Sequence, residues 1–252
     1  MKLFILFLSI FFCSFGVNHI LVSYDLHPIL NLGILIFFYI GVLLIATRFK
    51  RSMFLELFVI KPITSLNLIL LGLTGCLCVV LISCSLVGIL IHLDPQGFTK
   101  ALSDFNVSIL FTCLIGALFE EILFRKYLIS KLEKKHKPSK AIFLSAIIFS
   151  LFHLIDGANL ILLYFVGLVL GYVFWISKSW LLVFVIHFLY NLTLLLVDYS
   201  IIHGSQLLYL DLPYYLVSLS SSILLLWYSL FLLKSKVKQL ETITTKLRPA
   251  KF

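Results

Sequence analysis

The chain has 252 residues, of which 62% are hydrophobic and 12% are charged. A single water-soluble domain cannot cover that much apolar surface with polar side chains, so the composition excludes an ordinary soluble protein. A helix needs roughly 20 apolar residues to cross a hydrocarbon core of about 30 Å, and runs of that length recur along the chain. The sequence therefore predicts an all-α polytopic membrane protein, with residues 1–252 forming one integral membrane domain.

Eight spans are predicted in chain order: Leu3–Val22, Ile29–Thr47, Leu66–Ile91, Val107–Ser130, Ser139–Ile155, Asn159–Ser177, Trp180–Tyr199 and Tyr214–Leu233. The first has no small-residue cleavage site near its end, so we expect it to be retained rather than removed as a signal peptide. Residues 48–65 are consistent with either an interfacial amphipathic helix or an ordinary loop. In the sixth span, Gly167 and Gly171 form a small-xxx-small pair, which predicts close approach of another helix.

The net charge of +9 is explained by where the basic residues lie. They concentrate at the N-terminus, in alternate connections and in the C-terminal segment, whereas the other connections hold only Lys100. This alternation follows the positive-inside rule and predicts cytoplasmic termini, with residues 234–252 as a basic cytoplasmic tail. The charge therefore indicates orientation and membrane-lipid contact, and no nucleic-acid partner. The composition favours a bacterial cytoplasmic membrane.

Few ionisable or strongly polar side chains lie inside the predicted spans, where a charge costs roughly 2.5–3.5 kcal/mol to insert. The fourth, fifth and seventh spans carry them: Glu120, Glu121, Arg125, His153, His187 and Asn191. At a rise of 1.5 Å per residue, Glu120 lies about 15 Å from the cytoplasmic end of its span, His153 about 21 Å, His187 about 11 Å and Asn191 about 17 Å. The depths predict that they meet in one mid-membrane layer.

Helical spacing divides the acidic residues of the fourth span. Glu121 and Arg125 are four residues apart and share a face, so we expect them to pair and to lower each other's insertion cost. Glu120 points away from Arg125, toward another part of the bundle. The two adjacent acids are therefore predicted to have different roles, one structural and one chemical.

Each histidine of the fifth and seventh spans also has a partner residue at an interval of four. His187 and Asn191 share one face of the seventh span, and Phe149 shares a face of the fifth span with His153. No Ser or Cys in these spans belongs to a motif with a paired base, so a covalent nucleophile is not indicated. Each polar residue taken alone would fit a satisfied core position, and the prediction of a site depends on their meeting.

The motifs resemble those of the CPBP intramembrane proteases, also called the ABI family, which include the type II CAAX prenyl endopeptidase. The family pattern is a pair of Glu followed after three residues by Arg, then Phe with His four later, then His with Asn four later. It corresponds in order to Glu120, Glu121 and Arg125, to Phe149 and His153, and to His187 and Asn191. The resemblance covers about residues 107–199, the predicted catalytic core.

This resemblance implies an endopeptidase whose peptide or protein substrate enters from the membrane. Glu120 with His153 would activate a water molecule, and His187 with Asn191 would stabilise the oxyanion. The supporting residues would be Glu121, Arg125 and Phe149. Bacterial members need not act on prenylated proteins, so the resemblance leaves the substrate open.

Two alternatives remain at this point. Glu120, His153 and His187 could supply three zinc ligands, and the family is often described as metalloprotease. The paired-histidine zinc motif is absent, so a mechanism without a cofactor is favoured. A non-enzymatic role as a bacteriocin-immunity protein, a scaffold or a proton-coupled carrier would use the same polar cluster, since buried Glu and His also relay protons.

Overall fold

The computed structural model describes residues 28–47, 59, 66–93, 107–154, 159–202 and 211–246. These ranges form seven helices and contain no strand. The helices are α1 (Pro28–Thr47), α2 (Leu66–Leu93), α3 (Val107–Glu120, the π-helical Glu121–Ile129 and Ser130–Leu132), α4 (Pro138–Phe152), α5 (Leu160–Ser177), α6 (Trp180–Ile202) and α7 (Leu212–Lys246). The all-α membrane fold predicted from composition is thus confirmed.

The helices correspond in order to the second through eighth predicted spans, so the described residues hold seven helices where eight spans were predicted. The first predicted span, Leu3–Val22, and residues 48–65 apart from Val59 lie outside the described residues. The last helix continues past the predicted end at Leu233, so the first part of the predicted tail is helical. Among the described helices, four segments can cross a bilayer by length and composition: Leu66–Leu93, Leu160–Ser177, Trp180–Val197 and Leu212–Ile243.

The centre of the bundle is α5, which contacts α2, α4, α6, α7 and the π-helical part of α3. Its two glycines let α4 approach closely, as the small-xxx-small spacing predicts. A Cβ added at Gly167 would lie 3.1 Å from Cα of Ala146, and one at Gly171 would lie 2.8 Å from Cγ2 of Ile142. The close packing of α4 on α5 fixes the height at which α4 ends.

Hydrogen bonds hold the end of α4 beside the start of α5. The Ser150 hydroxyl donates to the carbonyl oxygen of Leu160 at 2.7 Å. Asn159 caps α5, its side-chain oxygen accepting from two backbone N–H groups of the first turn. His153 follows the last helical residue of α4 with φ −96° and ψ 11°, outside the α-helical region. The imidazole of His153 is therefore placed by the end of a helix rather than by its interior.

At the opposite end of α5, an ion pair joins α3 to the turn between α5 and α6. Lys178 Nζ lies 3.1 Å from Glu133 Oε1 and 4.4 Å from the centre of the Trp175 ring. Lys178 has a φ of 53°, and no other non-glycine residue in the described ranges has a positive φ. These contacts bring the end of α3 and the start of α6 to the same side of the bundle.

Replacing Gly167 with Ala is expected to destabilise the protein by about 1–3 kcal/mol, as overpacking of a filled core does. The added Cβ would meet the backbone of Ala146 and lie 3.3 Å from Cδ1 of Phe149. Gly41→Ala is the matched control, because none of the residues that the structure describes lies within 4 Å of a Cβ added there. Thermal unfolding of both purified variants in one detergent measures the difference, and equal midpoints would contradict the packing argument.

Candidate active site

A π-helix carries the acidic residues of the site. The helix α3 changes from α to π geometry between Glu120 and Glu121 and keeps π geometry to Ile129. Such segments are rare and concentrate at functional sites. Glu121 and Arg125 are both 0% exposed, so these two charged side chains are enclosed by the bundle. Reasoning from α-helical periodicity did not predict the π-helix.

Glu120 lies between the two histidines. Its Oε1 is 3.8 Å from Nε2 of His153, and its Oε2 is 3.9 Å from Nε2 of His187. The three residues come from α3, from the end of α4 and from α6, so they meet through packing and not through sequence proximity. The structure thus brings together three of the four residues that the sequence proposed as catalytic.

Glu121 contacts two partners, and the sequence identified one of them. Arg125 Nε lies 3.0 Å from Glu121 Oε2, the pairing that the four-residue spacing predicts. The other oxygen, Oε1, lies 2.8 Å from Nδ1 of His187 on α6. This second contact depends on how α3 and α6 are rotated toward each other. The sequence has two acids where one would neutralise the arginine. This excess of acid is the signal that could have indicated the contact with His187.

Phe149 forms the apolar wall shared by the charged residues. The guanidinium carbon of Arg125 lies 4.7 Å from the centre of its ring, within the range of a cation–π contact. Its ring centre is also 4.9 Å from that of His153 and 5.8 Å from that of His187. The Arg125 guanidinium makes no hydrogen bond to the residues described, so its charge faces the Glu121 carboxylate and this ring.

Asn191 lies one turn after His187 on α6 and is half-buried. It makes no hydrogen bond to Glu120, His153 or His187 in the described part of the chain. The structure therefore places Asn191 beside the cluster along the helix without joining it to the other three residues.

The site has an enclosed side and a more accessible side. The side chain of His187 is 3% exposed, whereas those of Glu120 and His153 are 11% and 17% exposed. Two serines on α4 are engaged elsewhere: Ser145 donates to the carbonyl oxygen of Phe124 at 3.2 Å, and Ser150 donates to α5. The groups that can meet a reactant are thus a carboxylate and an imidazole.

Glu120, His153 and His187 are also the candidate metal ligands of the site. Over the described ranges, no group of three His, Cys, Asp or Glu side chains is arranged to hold a metal ion. A zinc ligand set would need Glu120, His153 and His187 to surround one point. Their contacts of 3.8 and 3.9 Å run from separate carboxylate oxygens of Glu120 to the Nε2 atoms of the two rings.

The fold and the site define a polytopic helical membrane protein with carboxylates and imidazoles gathered inside the bundle. Residues 102–193 match the family model described as Type II CAAX prenyl endopeptidase Rce1-like. The match covers less than half of the chain and supports the resemblance to the CPBP family that the three motifs predicted, and all seven motif residues lie within it. The family is one of proteases, which supports an endopeptidase in general. No curated protein and no solved structure matches the chain.

Proposed function

We propose that this protein is an intramembrane endopeptidase in which Glu120 and His153 activate a water molecule to hydrolyse a peptide bond. The observation that carries the proposal is the contact of 3.8 Å between Glu120 Oε1 and His153 Nε2 inside a helical membrane bundle. A carboxylate and an imidazole at this separation can hold a water molecule between them. The match to a protease family favours this function over a carrier or scaffold.

The reaction follows from the placement of these groups. Glu120 takes a proton as the water oxygen attacks the peptide carbonyl carbon, and His153 orients that water. Negative charge develops on the carbonyl oxygen, and donors at that point lower the barrier. His187 is the donor proposed for it, with Asn191 one turn further along α6 as the second. Glu120 then returns the proton to the leaving nitrogen.

The proposed substrate is a peptide or protein segment that reaches the site from the membrane. The accessible side of the cluster is formed by Glu120 and His153, while His187 and Glu121 are enclosed. A substrate approaching from the accessible side would meet the activated water first and would place its carbonyl oxygen toward α6. The family's name refers to prenylated CAAX substrates, and the described residues do not identify a prenyl-binding site in this chain.

Glu120→Gln is expected to reduce peptide hydrolysis at least 100-fold, about the contribution of a positioned general base, while the protein stays folded. The amide keeps the shape of the side chain and lacks the basic oxygen. Glu133→Gln is the matched control, because Glu133 pairs with Lys178 away from the site and should keep full activity. Purified variants are assayed on a quenched fluorescent peptide. An active Glu120→Gln enzyme would contradict the proposed mechanism.

A metal-free reaction is proposed, in which Asn191 is the second oxyanion donor. Asn191→Ala should lower the rate about 100-fold, as loss of an oxyanion donor does, with little change in unfolding temperature. Elemental analysis of active protein supplies the second measure. A chelator is used to remove any stoichiometric zinc. If activity is lost with the zinc and is restored when zinc is added back, Glu120 and the histidines bind metal instead.

The proposed setting is a bacterial cytoplasmic membrane, based on the composition of the chain. Both termini are proposed to lie in the cytoplasm, based on the alternation of basic connections. Reporter fusions after Lys135 and after Ser205 should report opposite sides, with Lys135 in the cytoplasm. The connections at these positions are separated by three predicted spans. Two cytoplasmic signals would mean that the number of spans between them is even, so the predicted span count and the depths derived from it would be wrong.

A further inference from the structure

The two histidines of the site hold their protons in the same arrangement. Nδ1 of His153 lies 3.0 Å from the backbone oxygen of Phe149, and Nδ1 of His187 lies 2.8 Å from the Glu121 carboxylate. A carbonyl and a carboxylate only accept hydrogen bonds, so each Nδ1 carries its hydrogen. In a neutral ring Nε2 then has a lone pair and no proton. Both Nε2 atoms face Glu120.

When both rings are neutral, three hydrogen-bond acceptors therefore meet: the Glu120 carboxylate and the Nε2 atoms of the two histidines. The buried cluster then also has a net negative charge, since Glu120 and Glu121 are negative and Arg125 alone is positive. A buried uncompensated charge is unfavourable, and so is a set of acceptors without a proton between them. One additional proton on a histidine removes both problems.

The surroundings decide which histidine takes that proton. Nδ1 of His153 faces an uncharged carbonyl, and the ring is 17% exposed. His187 is 3% exposed and lies between the carboxylates of Glu121 and Glu120. We propose that His187 carries the second proton and that Glu121 is the positioning residue that keeps it there. This inference rests on the proposed function and extends it.

The charged and titratable groups around His187 come from several elements. From α3 these are Glu120, Glu121 and Arg125, and from the end of α4 His153. Tyr190 follows on α6, its ring centre 6.3 Å away, and the buried Cys76 on α2 is near Glu121 and Arg125. The Glu121 carboxylate is the negative group that hydrogen-bonds the His187 ring directly.

The second proton gives His187 its chemical role. A neutral ring with its hydrogen on Nδ1 cannot donate from Nε2, so only the doubly protonated ring can stabilise an oxyanion there. The water oxygen bonds to the carbonyl carbon and its proton goes to Glu120, while the carbonyl electron pair moves to oxygen and meets Nε2–H of His187. When the carbon–nitrogen bond breaks, nitrogen takes the proton from Glu120. His187 keeps both of its protons throughout.

The test removes the positioning charge without leaving Arg125 unpaired. The double variant Glu121→Gln/Arg125→Met should fold, because both partners of the ion pair are removed together. We expect nitrogen NMR of the histidine rings to show His187 doubly protonated at neutral pH in the natural protein and neutral in the variant. kcat for a peptide should fall about 100-fold while KM stays within about threefold, as loss of an oxyanion donor predicts.

Two further variants complete the experiment. Glu133→Gln/Lys178→Met removes the ion pair at the end of α3 in the same way and should leave the His187 spectrum and kcat unchanged. Glu121→Asp keeps the charge beside Arg125 and withdraws the carboxylate from the ring. The doubly protonated fraction of His187 should therefore fall. This variant tests the inference if the double variant does not fold.

The outcomes separate this inference from the proposed function. A double variant that keeps kcat within about threefold of the natural protein would show that Glu121 serves Arg125 alone, since loss of an oxyanion donor costs far more. A neutral His187 ring in the natural protein would overturn the inference whatever the activity. A natural protein that hydrolyses no peptide but has a doubly protonated His187 would reject the proposed function and support the assignment of the proton.

Discussion

The Glu121 carboxylate is the contact on which the organisation of this site depends. One of its oxygens faces Arg125 and the other His187, so a single side chain joins the π-helix to α6. An arginine enclosed in an apolar bundle is costly without a negative partner, and a histidine in the same place needs its ring oriented. Because Glu121 meets both needs, the neighbouring Glu120 is left facing the two histidines.

Packing of apolar residues sets the positions that this contact requires. Gly167 and Gly171 allow α4 to lie against α5, and Phe149 then reaches Arg125 and both histidine rings. The Phe149 ring thereby gives the cluster an apolar surface on that side. Electrostatic interactions are stronger in such surroundings than in water, which suits a site that has to stabilise a transient negative charge.

Most of the fold could be predicted from the sequence, because spans of apolar residues are dictated by the thickness of a bilayer. Glu120, His153 and His187 could be expected to meet, since their depths along separate spans agree. The contact between Glu121 and His187 could not, because it depends on the rotation of one helix against another. The π-helix was also missed, since the spacing of Glu121 and Arg125 suits an α-helix equally well.

The π-helix also restricts how the length of this chain can change. Nine residues from Glu121 to Ile129 follow its wider turn. Deleting one of them would allow ordinary α geometry to return, and it would rotate the preceding part of the helix by about 100° relative to the part that follows. Insertions and deletions that surface loops accept would here separate Glu120 from its histidines. We therefore expect variation in length among related chains to be concentrated outside this segment.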